Sequence, residues 1–462
     1  MTPELDLATA STVHVIGVGG AGMSAIATVL AQMGHRVSGS DLKDSPALER
    51  LRLLGIDARV GHAAANVPTG ADAVVASTAI PESNAEVVAA VERGVPVLRA
   101  DALRAVVATR RSIAVAGSHG KTTTSSMLAL VLRAADWHPS FLIGGDLNEV
   151  GTNAAYDEGD WLVVEADESD GTFLELAPEA AIVTNVEPDH LEHYGRFDAL
   201  VDAFRRFLVE VPGVRVVCID DPIAGDLAAA SPGTLTYGWD ECADYRVLDY
   251  VGDRRGSRFT LSRAGTALGV VELPVPGRHN VLNAVGAAAL ALELGVPFEV
   301  VTRALGGFGG VARRYQFRGE IGGVTLVDDY AHLPTEVAAM LRAAREGGWR
   351  RVIAVFQPHR YSRTERLWCD FADAFIDADV IVLTDVYSAG ESPRPGVSGR
   401  LVMQAVLDAH PQSAVTYLPH RSDLVRHALR SAGPGDVVLT LGAGDLTTLP
   451  DEWLARAGDR AL

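Results

Sequence analysis

The sequence predicts an α/β protein of three domains, each built around a mostly parallel sheet. Apolar strand candidates alternate with helix candidates along most of the 462 residues, which is typical of parallel sheets with helices on both faces. A glycine-rich turn joins a strand to a helix near residue 17 and again near residue 117. The length suits about three domains. We place their limits at 1–107, 108–310 and 311–462.

The composition narrows the class of partner. The formal net charge is −19 at pH 7, which disfavours nucleic acid or an anionic membrane surface as the main partner. The three cysteines lie far apart without a CxxC pair, so neither a zinc site nor a disulfide framework is indicated. The chain begins with no basic, apolar leader and contains no long uncharged apolar span. We therefore expect a cytoplasmic protein that does not insert into a membrane.

The first domain begins with a strand candidate at 12–17 that runs into a GxGxxG pattern. Gly17, Gly19 and Gly22 are followed by a helical stretch and then by a strand that ends at Asp41. Rossmann-like nucleotide-binding domains share this arrangement, with an acidic residue about 20 positions on that bonds a ribose hydroxyl. A tight strand-to-helix turn without a nucleotide is the alternative, and the spacing leaves it open. The domain continues with a strand at 71–78 and a helix at 84–94.

The second domain begins with a stronger signal for phosphate binding. A short apolar strand at 113–116 runs into a glycine-bearing turn that opens a helix, and the turn reads Gly117, Ser118, His119, Gly120, Lys121, Thr122 and Thr123. Backbone N–H groups converge at such a helix start, and the helix dipole adds positive charge. Lys121 can reach the outer phosphates and Thr122 can ligate Mg²⁺. The GxxGKT spacing is two residues shorter between the glycines than the usual GxxxxGK[ST].

Lysine usage favours the phosphate site over a plain turn with its Lys in solvent. Arginine is used almost everywhere, and Lys43 and Lys121 are the only lysines. A retained lysine at this position indicates a need for a compact ammonium on a flexible stem rather than a planar guanidinium.

Two further stretches leave strand candidates in the same domain. EADESDGTF at 165–173 and NVEPDHLEHYG at 185–195 each follow a strand directly. The carboxyl ends of parallel strands meet at one edge, so Glu168 and His190 can converge near Lys121. A carboxylate, an imidazole and a hydroxyl suit Mg²⁺ or Mn²⁺. Asp167 and Asp170 can equally be solvated loop acids, and His193 a surface residue.

The sequence predicts a different architecture at the end of the second domain. Strand-like alternation at 234–273 indicates an antiparallel meander appended to the sheet. The next helix begins with His279, Asn280 and Asn283, whose amides could cap the helix or reach a nucleotide base. The glycines at 305–310 indicate a hinge.

The third domain places charged and imidazole groups where strands end. Arg313 and Arg314 follow the hinge, from where they could move onto phosphates as domains close. A helix is predicted at 364–375. The loops at 327–336 and 356–364 contribute Asp329, Tyr330, His332, His359, Arg360 and Arg363. A basic pocket in so acidic a protein suits carboxylate or phosphate ligands, and solvated loop arginines are the alternative.

Taken in order, these motifs make the chain resemble the Mur ligases, the ATP-dependent amide-forming enzymes of peptidoglycan precursor synthesis. The stretches that carry the resemblance are HVIGVGGAGMS, GSD, VVASTAIP, GSHGKTTT, EADESDGTF, NVEPDHLEHYG, GRHNVLNA, ARRYQ, DDYAHLPTE, QPHRYSRT and DVYSAGE. Several motifs in one order are more specific than any single one. The resemblance implies an N-terminal Rossmann-like domain for a UDP-sugar, a central P-loop ATPase domain and a C-terminal Rossmann-like domain for the incoming amino acid.

The resemblance is strongest to the branch that joins L-alanine to UDP-N-acetylmuramate. It implies that ATP, with Mg²⁺ or Mn²⁺, phosphorylates the lactyl carboxylate, and that the amine of L-alanine then attacks the acyl phosphate and releases phosphate. A ligase that joins an intact tripeptide to the same sugar nucleotide is the nearest alternative. An NAD-dependent oxidoreductase built on the first glycine turn is an alternative from another class, and a non-catalytic nucleotide-binding regulator is a third. A monomer or a homodimer is expected.

The resemblance also implies roles residue by residue. The expected catalytic residues are Lys121, Glu168, His190 and Arg314, and the expected metal ligands are Thr122, Glu168 and His190. The ATP-binding set comprises Gly117, Ser118, His119, Gly120, Lys121, Thr122, Thr123, His279, Asn280, Asn283, Asp329 and Tyr330. The UDP-sugar set comprises Gly19, Ala21, Gly22, Ser40, Asp41, His62, Ser77 and Asn153. The amino-acid set comprises His332, His359, Arg360 and Arg363.

The chain departs from the family pattern at one position and from its later members at another. The family usually has a second histidine where this chain has Leu333, and we expect Leu333 to pack in the interior. Later Mur ligases use a carbamylated lysine after the metal-site histidine, but no lysine follows Lys121 here. That absence favours the alanine-adding branch.

Overall fold

The computed structural model describes residues 7, 9–77, 79–430 and 432–461. Two predictions concern residues outside this description. The expected absence of a leader concerns residues 1–6 and 8, and the end of the strand predicted at 71–78 concerns Thr78. The described strands form three sheets, alternating along the chain with helices. This confirms the predicted α/β class and the mostly parallel character of the sheets. Within the described part of the chain, no helix is long and apolar enough to cross a membrane.

The first sheet is parallel throughout and has the strand order β3-β2-β1-β4-β5. Its strands are β1 (Thr12–Ile16), β2 (Arg36–Asp41), β3 (Asp57–Val60), β4 (Ala73–Ala76) and β5 (Val97–Leu98). Its helices are α1 (Ala21–Gln32), α2 (Pro46–Leu53), α3 (Ala85–Glu92) and α4 (Ala100–Val107). The order reverses between β1 and β4, so a ligand crevice is expected at the carboxyl end of β1, where the first glycine turn lies.

The second sheet has ten strands among the described residues, in the order β15-β14-β13-β12-β11-β10-β6-β9-β7-β8. The strands are β6 (Arg111–Ala116), β7 (Ser140–Leu147), β8 (Thr152–Ala155), β9 (Trp161–Glu165), β10 (Ala180–Val183), β11 (Arg215–Cys218), β12 (Leu235–Gly238), β13 (Tyr245–Asp253), β14 (Gly256–Arg263) and β15 (Thr266–Leu273). The helices are α5 (Lys121–Ala134), α6 (Leu191–Tyr194), α7 (Phe197–Glu210), α8 (Pro222–Ala229), α9 (Arg278–Glu293) and α10 (Phe298–Gly306).

The predicted meander is present at one end of this sheet over β13, β14 and β15. The prediction at 234–273 was wrong for β12, which pairs parallel with β11 and with β13. Two-residue turns join β13 to β14 and β14 to β15, and only antiparallel neighbours can be joined so briefly. At the other end, β8 pairs antiparallel with β7. That hairpin was not predicted, because its sequence is rich in glycine and polar residues and lacks a strand-like apolar alternation.

The third sheet has the order β16-β17-β21-β18-β19-β20 and is parallel except for β16, an antiparallel edge strand that was not predicted. Its strands are β16 (Gln316–Ile321), β17 (Val324–Asp329), β18 (Val352–Phe356), β19 (Val380–Leu383), β20 (Val415–Tyr417) and β21 (Val437–Leu441). Its helices are α11 (Pro334–Glu346), α12 (Tyr361–Leu367), α13 (Arg400–Ala409), α14 (Arg421–His427) and α15 (Leu449–Ala461).

The helix predicted at 364–375 was wrong in its extent. Helix α12 ends at Leu367 and a 3₁₀ turn, Trp368–Phe371, follows. The aromatic rings of Phe371 and Phe375 pack on Phe356 of β18. Tertiary packing of these rings therefore overrides the helical periodicity of the sequence.

The chain divides into two compact units. One comprises Met1–Leu248, Thr260–Val270 and Leu282–Gly307, and the other comprises Asp249–Phe259, Val271–Val281 and Phe308–Leu462. Both glycine turns belong to the first unit, whose largest apolar core includes residues of the first and second sheets. The second unit has two apolar clusters that share the strands of the third sheet. The domain limits 1–107, 108–310 and 311–462 stay a prediction.

Candidate active site

The phosphate turn, residues 117–123, joins β6 to α5 and requires glycine at two positions. Gly117 has φ +133° and Gly120 has φ +80°, values that side chains with a Cβ rarely adopt. A Cβ on Gly117 would lie 2.0 Å from Oγ1 of Thr184, and one on Gly120 would lie 2.4 Å from Oδ1 of Asn283. The turn therefore packs tightly and leads into α5, which begins at Lys121. The first N–H groups of that helix are available to bind an anion.

Lys121 is held inside this turn. Its Nζ donates to the backbone oxygen of Gly117 at 2.6 Å and to Oε2 of Glu168 at 2.7 Å. The residue is only 9% exposed. Burial alone would lower the pKa of Lys121, but the carboxylates of Glu168, Asp167 and Glu165 outweigh it and raise that pKa. The ammonium is therefore charged, as a phosphate-binding lysine must be.

Three ligand groups converge beside Lys121. Asp167, Glu168 and His190 each offer one ligand atom, and these atoms lie within 4.8 Å of one another. Glu168 is 1% exposed, and its Oε1 is buried with no hydrogen-bond partner among the described residues. A buried, unsatisfied carboxylate oxygen is costly unless a ligand completes it. The donor set of two carboxylates and an imidazole fits a divalent cation such as Mg²⁺ or Mn²⁺.

Two acids in this region were not selected from the sequence. Asp167 joins the candidate metal group, although the sequence left it open as a solvated acid. Glu165 accepts from Oγ1 of Thr122 at 3.1 Å and from the N–H of Gly144 at 2.8 Å, and burial raises its pKa. Thr122, the third predicted metal ligand, thus bonds Glu165. Both acids lie in the EADESDGTF stretch, so their position near strand β9 was the available signal.

The remaining predicted nucleotide residues of the first unit lie in or against the same turn. Ser118 donates through Oγ to the backbone oxygen of Glu187, and the N–H of His119 donates to Oδ1 of Asn185. Thr123 is buried in the first turn of α5. Asn283 accepts through Oδ1 from Oγ1 of Thr124, so its amide supports the phosphate turn directly.

The first glycine turn and the ends of the neighbouring strands carry most of the predicted UDP-sugar residues. The N–H of Gly19 donates to Oδ2 of Asp41 at 2.9 Å, and a Cβ on Gly19 would meet that oxygen at 2.9 Å. Oγ of Ser40 lies 2.9 Å from Nδ1 of His62. Both Ser40 and Asp41 end β2, and His62 follows β3. These side chains therefore lie at the carboxyl edge of the first sheet, as predicted for a ligand crevice.

The other four predicted UDP-sugar residues are Ala21, Gly22, Ser77 and Asn153. Asn153, from β8, donates through Nδ2 to the backbone oxygen of Ala21, the first residue of α1, at 2.9 Å. The backbone oxygen of Ser77 accepts from Arg99 at 2.7 Å. At Gly22, a Cβ would meet nothing within 4 Å, so that glycine faces open space. The first and second sheets thus both contribute predicted sugar-nucleotide residues.

In the second unit, the ring of Tyr330 lies against two guanidinium groups. The Cζ atoms of Arg313 and Arg314 lie 4.7 Å and 5.2 Å from the ring centroid, within the range of cation–π attraction. Asp329 accepts through Oδ2 from the N–H of Tyr315 and through Oδ1 from the N–H of Ala331, both at 2.7 Å. Burial raises the pKa of Asp329 to about 6. Asp329 thus fixes the backbone at Tyr315, directly after the two arginines, and at Ala331, directly after Tyr330.

His279 and Asn280 lie at the start of α9, in the second unit. Burial and then the charge of Arg314 lower the pKa of His279 to about 4, so the ring is neutral. Nδ2 of Asn280 donates to the backbone oxygen of Pro276 at 2.8 Å. Asn280 therefore has a local role at the helix start, besides any contact with a nucleotide.

Two of the predicted amino-acid residues, His332 and His359, are in edge-to-face ring contact. The centroids of His332 and His359 are 5.6 Å apart, and His359 stacks on Tyr387 at 5.7 Å with an interplanar angle of 12°. Burial, then His332 and Arg363, lower the pKa of His359 to about 3, which keeps that imidazole neutral. Arg363 donates to Nδ1 of His359 at 3.2 Å. Arg360 adopts φ +66° and its N–H donates to the backbone oxygen of Tyr387.

Glu336 and Tyr387 complete this arrangement and were not selected from the sequence. Oε2 of Glu336 accepts from the N–H of His332 at 2.9 Å and lies 3.2 Å from its Nδ1, while Oε1 lies 3.9 Å from Arg314. Tyr387 belongs to the DVYSAGE stretch, which carried no residue-level prediction. Leu333 is 4% exposed, which confirms that it packs in the interior.

Three protein-family models match successive parts of the chain. Residues 12–111 match the catalytic domain of the Mur ligase family, residues 115–291 match the Mur ligase middle domain, and residues 313–444 match the glutamate ligase domain of Mur ligases.

Similar proteins cover the chain almost from end to end. The UDP-N-acetylmuramate–L-alanine ligase of Rubrobacter xylanophilus is 48% identical over 96% of this chain and 99% of its own length, and that of Pelotomaculum thermopropionicum is 46% identical over 96% and 97%. The crystal structure of the UDP-N-acetylmuramate–alanine ligase of Thermotoga maritima superposes with a TM-score of 0.82 at 29% identity, over 97% of this chain and 100% of that one. A murein peptide ligase of Psychrobacter arcticus gives 0.72 at 25% identity, over 97% and 99%.

Proposed function

The chain belongs to the Mur ligase family, and on this premise we propose that it joins L-alanine to the lactyl carboxylate of UDP-N-acetylmuramate with hydrolysis of ATP. The observation that carries the proposal is the charged, buried Lys121 in a phosphate turn beside the Asp167, Glu168 and His190 group. The relatives that bear this activity in their names support the choice of substrates.

The reaction needs an activated carboxylate, because a free carboxylate is a poor acyl donor. Transfer of the γ-phosphoryl group of ATP to the lactyl carboxylate gives an acyl phosphate. The amine of L-alanine then attacks the carbonyl carbon, and inorganic phosphate leaves with one of the former carboxylate oxygens. Positioning and electrostatic stabilisation supply most of the catalysis of phosphoryl transfer.

This chain offers a residue for each of those tasks. Lys121 and the first N–H groups of α5 hold the phosphates, and Arg314 balances the charge that develops on the transferred group. Glu168 and His190, with Asp167, would hold Mg²⁺ or Mn²⁺, which when bound would supply positive charge beside the phosphate oxygens. Arg360 and Arg363 suit the carboxylate of L-alanine, because guanidinium groups bind carboxylates in bidentate fashion.

The proposal also assigns the sugar-nucleotide residues and the cellular location. Ser40, Asp41 and His62, with the first glycine turn, face the sugar nucleotide. ATP and UDP-sugars are metabolites of the cytoplasm, so the proposed reaction takes place there.

The tripeptide-adding ligase is a less favoured alternative, because the solved murein peptide ligase superposes less well than the alanine ligase does. The oxidoreductase hypothesis leaves the phosphate turn of the second sheet without a function and is not favoured.

An isotope experiment tests the proposed mechanism. UDP-N-acetylmuramate labelled with ¹⁸O in the lactyl carboxylate is incubated with ATP, Mg²⁺ and L-alanine. The proposal predicts one ¹⁸O atom in each phosphate released and a product whose mass has increased by one alanine residue. Phosphate without the label would contradict the acyl phosphate, because hydrolysis of ATP by water carries no carboxylate oxygen into phosphate.

A further inference from the structure

Glu86 is a fully buried carboxylate that the reaction described above does not use. It lies in the first turn of α3 and is 0% exposed. Its Oε2 accepts from Oγ of Ser40 at 2.5 Å and lies 3.4 Å from Nε2 of His14. Its Oε1 accepts from Nδ2 of Asn66 at 2.6 Å and from the N–H of Ala63 at 3.0 Å. So many donors around one side chain indicate a fixed and charged group.

The charge of Glu86 sets the direction of the hydrogen bonds around it. Burial would raise the pKa of Glu86, but the hydrogen bonds from His14, Ser40 and Asn66 lower it to about 2. An ionised carboxylate only accepts hydrogen bonds. The single hydroxyl proton of Ser40 therefore points to Glu86, and Oγ of Ser40 must accept from Nδ1–H of His62, 2.9 Å away.

This direction fixes the tautomer of His62. In the neutral ring, a proton on Nδ1 leaves Nε2 as an acceptor. Among the described residues, none bonds Nε2 of His62, since the contacts of that ring with Ser40 and Glu86 are made through Nδ1. His62 follows β3 at the carboxyl edge of the first sheet, on the side where the sugar nucleotide is expected.

We propose that Glu86 is a positioning residue which, through Ser40, holds His62 with Nε2 ready to accept a hydrogen bond from an N–H or O–H group of the sugar nucleotide. The inference rests on the proposed function and adds to it the polarity that His62 presents to that substrate. Glu86 itself touches no substrate. Its effect on binding passes through Ser40 and His62.

The substitution Glu86→Gln tests the proposal with little change in volume. A carboxamide can donate to Ser40, which frees the Ser40 hydroxyl to donate to Nδ1 of His62 and so reverses the tautomer. We expect the KM for UDP-N-acetylmuramate to rise about tenfold, the effect of one net hydrogen bond. The kcat and the KM values for ATP and L-alanine should change less than about twofold. In ¹⁵N spectra of histidine-labelled enzyme, the His62 signals should change from the Nδ1–H to the Nε2–H pattern.

Two further variants separate positioning from folding. Asp436→Asn is the matched control, because Asp436 is also 0% exposed and pairs with Arg350 and Arg351 in the second unit. It should leave the KM for the sugar nucleotide unchanged, whatever its effect on the melting temperature. The double variant Glu86→Gln/His62→Ala should bind the sugar nucleotide no more weakly than His62→Ala alone, because both changes remove the same interaction.

The outcomes are separable from those of the proposed function. A wild-type enzyme that shows no activity with UDP-N-acetylmuramate and L-alanine overturns the proposed function first. An active wild type, with Glu86→Gln unchanged in its KM and its His62 spectrum, overturns the positioning role. A fall in kcat without a selective rise in the KM for the sugar nucleotide, or additive losses in the double variant, assigns Glu86 to the stability of the first sheet. Either result also overturns the positioning role.

Discussion

Lys121 and Glu168 form a buried ion pair in which Nζ lies 2.7 Å from Oε2. The other oxygen of Glu168, Oε1, is buried without a hydrogen-bond partner among the described residues. The two groups balance one another's charge where neither could be buried alone. Nucleotide and cation binding would give each group a new partner, phosphate for Lys121 and the metal for Glu168. The pair therefore holds the Lys121 ammonium and the Glu168 carboxylate charged and in place for phosphate and metal binding.

Replacement of Lys121 tests the phosphate turn. We expect Lys121→Ala to lower kcat at least about 10³-fold, because the ammonium both positions the phosphates and stabilises developing charge. The rate is measured as phosphate release at saturating substrates. Lys43→Ala is the control, since Lys43 is exposed and is the only other lysine, and it should retain the wild-type rate. Near-normal ATP turnover by Lys121→Ala would contradict the assigned role.

Removal of one charge at the metal group should weaken cation binding. In Glu168→Gln, we expect the Mg²⁺ concentration for half-maximal activity to rise roughly tenfold or more, because ligand charge sets the affinity for a hard cation. The unfolding free energy should also fall by about 3 kcal/mol, because the buried Lys121 loses its partner. The control is Asp170→Asn in the same loop, where the carboxylate bonds Thr172 and no other residue in the described part of the chain. Equal Mg²⁺ dependence in the two variants would rule out Glu168 as a ligand.

Two arginines on α12 allow a matched test of amino-acid binding. Arg363 is 7% exposed and donates to His359, whereas Arg366, on the next turn, is exposed. We expect Arg363→Ala to raise the KM for L-alanine about tenfold or more, since a charge-assisted bond to the carboxylate is lost. Arg366→Ala should leave that KM unchanged. An equal rise in both variants would point to a general effect of charge on α12 rather than to a binding residue.

The neutral state of His359 predicts a pH dependence of stability. Burial, together with His332 and Arg363, lowers the pKa of His359 from 6.5 to about 3. Between these values, the unfolded chain binds a proton that the folded chain does not. Stability from this group is therefore fully present above pH 6.5 and is lost as the pH falls toward 3.

Urea unfolding of wild type and His359→Gln between pH 7 and pH 4 measures this effect. The variant should lose less stability than the wild type as the pH falls, so the difference between their unfolding free energies should shrink. Parallel curves across this range would show that His359 takes up its proton equally in both states.

The motifs that could be predicted are those in which chemistry fixes residue types at short spacing. The phosphate turn needs Gly117, Gly120 and Lys121 within five residues, and the structure shows why each glycine is needed. Glu168 and His190 could be paired because parallel strands end at one edge. Strand and helix alternation sufficed for the α/β class, because central parallel strands contain runs of consecutive apolar residues, such as IAVA in β6 and VIAVF in β18.

The parts that could not be predicted depend on contacts between distant residues. Glu86 meets Ser40 across 46 positions, and Glu336 meets Arg314 through a helix start, so no local pattern marks either acid. The β7–β8 hairpin and the edge strand β16 lack clear apolar alternation, and their pairing is decided by neighbouring strands. The early end of helix α12 at Leu367 likewise depends on the aromatic rings around Phe356.

Phosphate release from ATP and Mg²⁺ in the presence of UDP-N-acetylmuramate tests the central claim most directly. The acceptors to compare are L-alanine, glycine, L-serine and the L-Ala-γ-D-Glu-diaminopimelate tripeptide. We predict release that requires both the sugar nucleotide and an amino acid, with L-alanine giving the highest kcat/KM. A preference for the tripeptide, or no release with any acceptor, would contradict the assignment of this enzyme as the alanine-adding ligase.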